Sequence, residues 1–244
     1  MLATATKNAT PQDRDPTGAI MTTPTAHARP DTTEMVVVHD LFRREFGNLP
    51  GLVRDVPPGD VERAEVVVEF LQELASGLHH HHTGEDELMW PLLLERATAD
   101  AALVLRMEEQ HERIAVIHDR AVEQAATFAA TASAADGERL ATTLTALVAA
   151  LDEHLREEED HVLPLVERHL TVPEWEALGE RGRAGLSKDR MLIQLGFILL
   201  GTTPADRAAF LAKLPVPARI AWRLVGRRRF AAEYRRIYGR SPAG

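Results

Sequence analysis

Residues 78–91 read LHHHHTGEDELMWP: four consecutive histidines, an acidic cluster, then a proline. The run continues a helical pattern without a break. Upstream, Ala64, Val67, Leu71, Leu74 and Leu78 recur in alternating steps of three and four, and the same stripe passes on through His81, Glu85, Leu88 and Leu92. That spacing marks the buried seam of a helix. Of the four histidines only His81 falls on the seam, one turn before Glu85. His79, His80 and His82 are predicted to face solvent or a neighbouring helix edge.

Working outward, three more helices share this patterning. The first follows DTTE, where Asp31 and Glu34 have capping-box spacing, runs through MVVVHDLFRREF and is expected to stop at GNLPG. The quoted helix starts near Asp60. The third spans about residues 100–130 with stripe Val104, Met107, His111, Ile114, His118, Ala121, Ala125 and Phe128. The fourth, after TASAADGE, carries Leu140, Leu144, Leu147, Leu151, His154, Glu158, His161 and Leu165. No segment alternates like a strand. Short connections predict an all-α fold, an antiparallel up-down-up-down four-helix bundle over 31–170. Residues 1–30, rich in Ala, Thr and Pro, are expected to be disordered, with Met21 an alternative start. Residues 171–244 read as a basic helical C-terminal extension.

Composition narrows the chemistry. The 244 residues contain no cysteine, which excludes disulfides, thiolate catalysis and Cys-ligated metals and suits a reducing cytoplasm. The N-terminus lacks the apolar core of a signal peptide. The longest apolar run, 191–201, is too short to span a bilayer, so no transmembrane segment is expected. Charge is divided: residues 181–244 hold 14 Lys/Arg against 3 Asp/Glu, leaving an acidic body of net −20. Phe230, Tyr234, Ile237 and Tyr238 form an apolar face in this basic tail. Packing on the bundle, or a homodimer through the extension, is therefore expected ahead of contact with nucleic acid or a membrane surface.

An internal repeat picks out the site. His81, Glu85 and Pro91 form His-x3-Glu-x5-Pro, and His154, Glu158 and Pro164 repeat it residue for residue. His39 precedes the first set by 42 residues and His111 precedes the second by 43. A lone histidine on an apolar stripe is usually a hydrogen-bonded core residue, and one His-x3-Glu pair usually a surface contact. Two buried carboxylates in one layer are costly without a cation, however. Residues four apart share a helix face, so each pair can offer an imidazole to one ion and a carboxylate to a second. Sulfur-free imidazole and carboxylate donors suit iron, manganese or zinc, and two octahedral ions bridged by carboxylates favour iron or manganese over zinc's closed tetrahedral site.

At these residues the chain resembles the hemerythrin-like (HHE cation-binding) family, through MVVVHDLFRREF, LHHHHTGEDELMWPLL, RMEEQHERI and HLREEEDHVLPLVE, in the family's order and spacing. The resemblance implies a di-iron centre with His39, His81, His111 and His154 as terminal ligands and Glu85 and Glu158 bridging. It further implies a small ligand: dioxygen, peroxide or nitric oxide. The oxygen carriers of that family have His-x3-His on the third helix, whereas Ala115 follows His111 here. His118 lies about 10 Å further along the helix, too far to share an ion. Either a fifth histidine comes from elsewhere or one ion keeps an extra open position. His118 and His161 are candidates for hydrogen-bonded support of the ligands. A ferritin-like alternative would use Glu108/His111 and Glu158/His161 with Glu85, but the first helix offers it no buried glutamate.

Overall fold

A computed structural model of the chain describes residues 29–184 and 190–242. The expected disordered segment 1–30 lies outside them except for Arg29 and Pro30, as does Met21. The described residues contain helices and no strand. The order is α1 (Thr33–Arg54), α2 (Val61–Leu88), the short α3 (Trp90–Arg96), α4 (Ala101–Thr131), α5 (Ala134–Glu157), a π-helical turn Glu158–Val162 and α6 (Leu163–His169). The extension adds α7 (Val172–Ala184), α8 (Met191–Leu199), α9 (Pro204–Lys213), α10 (Val216–Ala221), a π-helical turn Trp222–Gly226 and α11 (Arg227–Tyr238).

Local chemistry sets the helix ends. Asp60 caps α2 by accepting from the Arg63 N–H at 3.0 Å, and Ser133 caps α5 by accepting from the Asp136 N–H at 3.1 Å. The capping box expected for α1 does not form. Asp31 and Glu34 instead pair with Lys213 at 2.8 and 3.0 Å. Nor does α1 stop at GNLPG; it runs through Pro50 to Arg54. Pro50 forfeits one backbone hydrogen bond, but burial of Leu49 and Val53 outweighs that loss.

The four long helices form a ring, α1 on α2 and α5, α4 on α2 and α5. Paired contacts run in opposite senses. Along α1 and α5 they pass from His39–Glu159 to Arg54–Glu138, and along α2 and α4 from His82–His111 to Ala75–His118. Adjacent helices are thus antiparallel. Two apolar clusters fill the interior. One holds Phe42, Leu78, Ile114, Leu151 and Leu155, the other Met35, Met89, Met107, Val162 and Val166. The histidine layer lies between them.

The tail docks on its own bundle. Phe197 of α8 meets Phe70, Phe230 and Tyr234, and Ile237 is fully buried. Arg44 of α1 donates to the Phe197 and Leu200 carbonyls at 2.6 and 2.7 Å. Arg190 joins Glu73 of α2 to Glu233 of α11. The apolar face of α11 is therefore occupied within the chain. No helix of the described residues is long and apolar enough to cross a membrane.

Candidate metal centre

One turn of α2 supplies three of the central side chains: His81, His82 and Glu85. His39 comes from α1, His111 from α4 and His154 from α5. Glu158 opens the π-helical turn. Their donor atoms form two groups. His82, Glu85, His111 and His154 make one; His39, His81, Glu85 and Glu158 make the other. Within each group one donor atom per residue lies within 4.8 Å of every other. Opposed ligands around an ion at ~2.1 Å sit about 4.2 Å apart, so each group matches the shell of one cation.

Burial of His82 corrects the sequence reading, which turned it away from the seam. It is 8% exposed, and its ring stacks on His111 at 4.0 Å between centroids. His81 is 11% exposed on its side chain. A core-facing helix buries a face more than 100° wide, so residues 78, 81, 82 and 85 all point inward. A one-residue stripe was too narrow a template. His82 is thus a fifth histidine arriving from α2 itself, and the argument for an additional open position falls away. It also breaks the repeat, since Leu155 occupies the matching place after His154.

Glu85 joins the two groups. Its Oε1 lies 3.3 Å from His81 Nε2 and its Oε2 lies 3.4 Å from His111 Nε2. Glu158 Oε2 stands 3.4 Å from His39 Nε2 and 3.7 Å from His154 Nε2. Both carboxylates are fully buried, and none of their four oxygens has a hydrogen-bond partner; nor do the Nε2 atoms of His39, His81 and His82.

Hydrogen bonds at the far side of three rings fix their tautomers. His39 Nδ1–H donates to Glu159 Oε1 at 2.8 Å, and Arg43 clamps that carboxylate with two bonds of 2.8 and 2.9 Å. His111 Nδ1–H donates at 2.7 Å to Asp86 Oδ1, which also accepts from the Trp90 indole N–H at 2.9 Å. His154 Nδ1–H donates to Gln110 Oε1 at 3.1 Å, while the Gln110 amide donates to Glu157 at 2.7 Å. A carboxylate can only accept, so each Nδ1 carries a proton and each ring turns its Nε2 inward, the atom left to meet a cation. His111 Nε2 and His154 Nε2 then face each other at 3.1 Å. Two ligands on adjacent corners of an ion at ~2.1 Å are about 3 Å apart. Both atoms can therefore serve one cation.

Electrostatics agree. Burial pushes the Glu85 carboxyl well above the ordinary range, with Glu158 and Asp86 adding to the shift. Burial also raises Glu158, opposed by His39 and His111. Burial and the neighbouring imidazoles press His81, His82 and His154 well below the ordinary histidine value.

His118 and His161 lie outside the cluster. His118 Nε2 donates to the Ala75 carbonyl at 3.1 Å, tying α4 to α2, and supports no member of the site. His161 is exposed because the π-helical turn inserts one extra residue after Glu158 and brings Val162 inward. The first hairpin slips likewise: Met89 and Leu93 are buried where the stripe placed Leu88 and Leu92. Pro91 and Pro164 follow these slips, each removing a helical N–H. With His161 outside, the ferritin-like arrangement has no counterpart here. Sequence reasoning also missed Asp86, Gln110 and Glu159. The first two lie beside Glu85 and His111, and Glu159 follows Glu158; adjacency to a ligand was their only signal.

No curated protein and no solved structure matches the chain significantly. The model of the hemerythrin HHE cation-binding domain matches residues 31–166, the stretch that holds all four long helices and every side chain of the cluster. The chain belongs to the hemerythrin HHE cation-binding family.

Proposed function

We propose that the chain holds two iron ions, one in each donor group, with Glu85 and Glu158 between them, and binds or turns over a small oxidant: dioxygen, hydrogen peroxide or nitric oxide. The observation that carries this reading is the pair of inward Nε2 atoms of His111 and His154 at 3.1 Å, on rings whose Nδ1 atoms are both engaged by outer hydrogen bonds. Five imidazoles against two carboxylates favour iron over manganese, whose preferred donors are oxygens. When bound, iron would supply the electrons for reduction of an oxidant.

The protein's own part is positioning and exclusion. Asp86, Gln110 and Glu159 hold three rings in one tautomer, and the two apolar clusters seal the layer from above and below. The His39–His81 group has one imidazole fewer and includes the most exposed donor, His81. A small ligand approaches on that side. Placement in the cytoplasm, suggested by the absence of cysteine, belongs to this reading.

Peroxide consumption by the purified, iron-loaded protein tests turnover. A rate well above that of equimolar free iron is expected, and a rate no greater would leave binding or sensing in its place. One observation favours the sensing alternative. Glu45, on α1 with His39, is fully buried and is gripped by Arg44 at 2.7 Å and by the Tyr238 hydroxyl of the tail. The extension therefore touches the helix that carries a ligand.

A further inference from the structure

The helical run from Val216 to Tyr238 divides into two stretches with different surroundings. From Phe230 onward it buries Phe230, Tyr234 and Ile237 against the bundle. Its beginning does not bury its aliphatic residues. Val216, Ile220, Leu224 and Val225 are exposed by 56, 52, 68 and 48%. The first three stand four residues apart and make one ridge. Arg219, Arg223 and Arg227 repeat the same spacing beside it, and Arg228 and Arg229 extend the charge.

These arginines are unspent. Arg236 pairs with Glu69 and Glu233, but Arg219, Arg223, Arg227, Arg228 and Arg229 make no ion pair among the described residues. Glu233 is the one acidic residue between Val216 and Arg240 and is already held by Arg190 and Arg236. The chain's net charge is −9, so acidic partners are plentiful elsewhere on it, yet this segment is left without them.

Exposed aliphatics interleaved with free guanidinium groups are the makeup of a helix that lies in a membrane interface. A nucleic acid would match the charge but leave four aliphatic side chains against a polar backbone. We propose that residues 216–229 dock on an anionic lipid bilayer. Val216, Ile220, Leu224 and Val225 enter the headgroup–acyl boundary, and the arginines reach lipid phosphates with their apolar stems lying along the same surface. The iron reading plays no part in this inference.

The full-length protein is mixed with phosphatidylcholine vesicles, with and without phosphatidylglycerol, and sedimented. Binding is expected only with the anionic lipid, weakening as salt rises. Ile220→Ser with Leu224→Ser should lower the partition coefficient at least about tenfold, and Arg227→Gln with Arg228→Gln about twentyfold. All four positions are exposed, so helicity by circular dichroism should be unchanged. Because the chain has no cysteine, Leu224→Cys takes a single polarity-sensitive label, whose emission should shift to the blue on anionic vesicles alone. Absence of binding to anionic vesicles would overturn the proposal. So would partitioning indifferent to the Ile220/Leu224 pair, or binding to duplex DNA by protein that ignores the vesicles.

Discussion

Removing the His82 ring takes one of three imidazoles from the group it shares with His111 and His154, whereas the neighbouring His80 belongs to neither group. His82→Ala should therefore lower iron content by about one ion per chain, and His80→Ala should leave it unchanged, as metal analysis after anaerobic loading will show. Asp86→Asn tests the support of His111. The amide no longer fixes Nδ1 as the donor, and iron affinity measured against a competing chelator should fall about 10- to 100-fold with the fold intact. The pH dependence has a definite sign. Glu85 and Glu158 have raised values, so the metal-free fold loses stability as pH climbs above about 4.3, where unfolded glutamates ionise. His81, His82 and His154 have lowered values, so it also loses stability as pH falls below about 6.5. No pH relieves both. Iron competes with the carboxyl protons, so the rise in Tm on loading should be larger at about pH 7.5 than at about pH 5.5. A pH-independent rise would contradict this. Six of the seven central side chains were legible from spacing alone. His82 was not, because a single stripe samples one line on a face that is two residues wide.

Helix interiors were easier to read than helix ends. The stripes of α2, α4 and α5 are buried as spaced up to the glutamates. Beyond them the first hairpin slips by one position, and in the second the π-helical turn turns His161 out, although Leu165 past Pro164 is buried as spaced. Similarly, GNLPG carries two strong breaker signals, yet tertiary burial carried α1 through it. Packing between α8 and α11 gives a test at this scale. A Cβ on Gly196 would lie 2.2 Å from Phe230 Cγ, so Gly196→Ala must push the two helices apart. Limited proteolysis should cut the extension of this variant several-fold faster, with helicity of the bundle and iron content retained, because no cluster residue lies on α8 or α11.

Taken as a whole, the molecule joins an acidic bundle to a basic extension. That division was plain in the sequence, but the way the charges are used was not. Arg190, Lys213 and Arg236 bind the tail to the body, while the arginines around Ile220 and Leu224 do not. The expected apolar face of α11 is real and faces inward. A second apolar ridge, at Val216, Ile220 and Leu224, emerges only once burial is known. Both rest on a bundle whose buried histidine–glutamate layer we read as requiring a cation. The Mössbauer spectrum of the fully iron-loaded, oxidised protein tests that requirement most directly. Two ferric ions per chain, coupled to a diamagnetic ground state at low temperature, are expected. Isolated paramagnetic iron, or one ion per chain, would contradict the two-group centre bridged by Glu85.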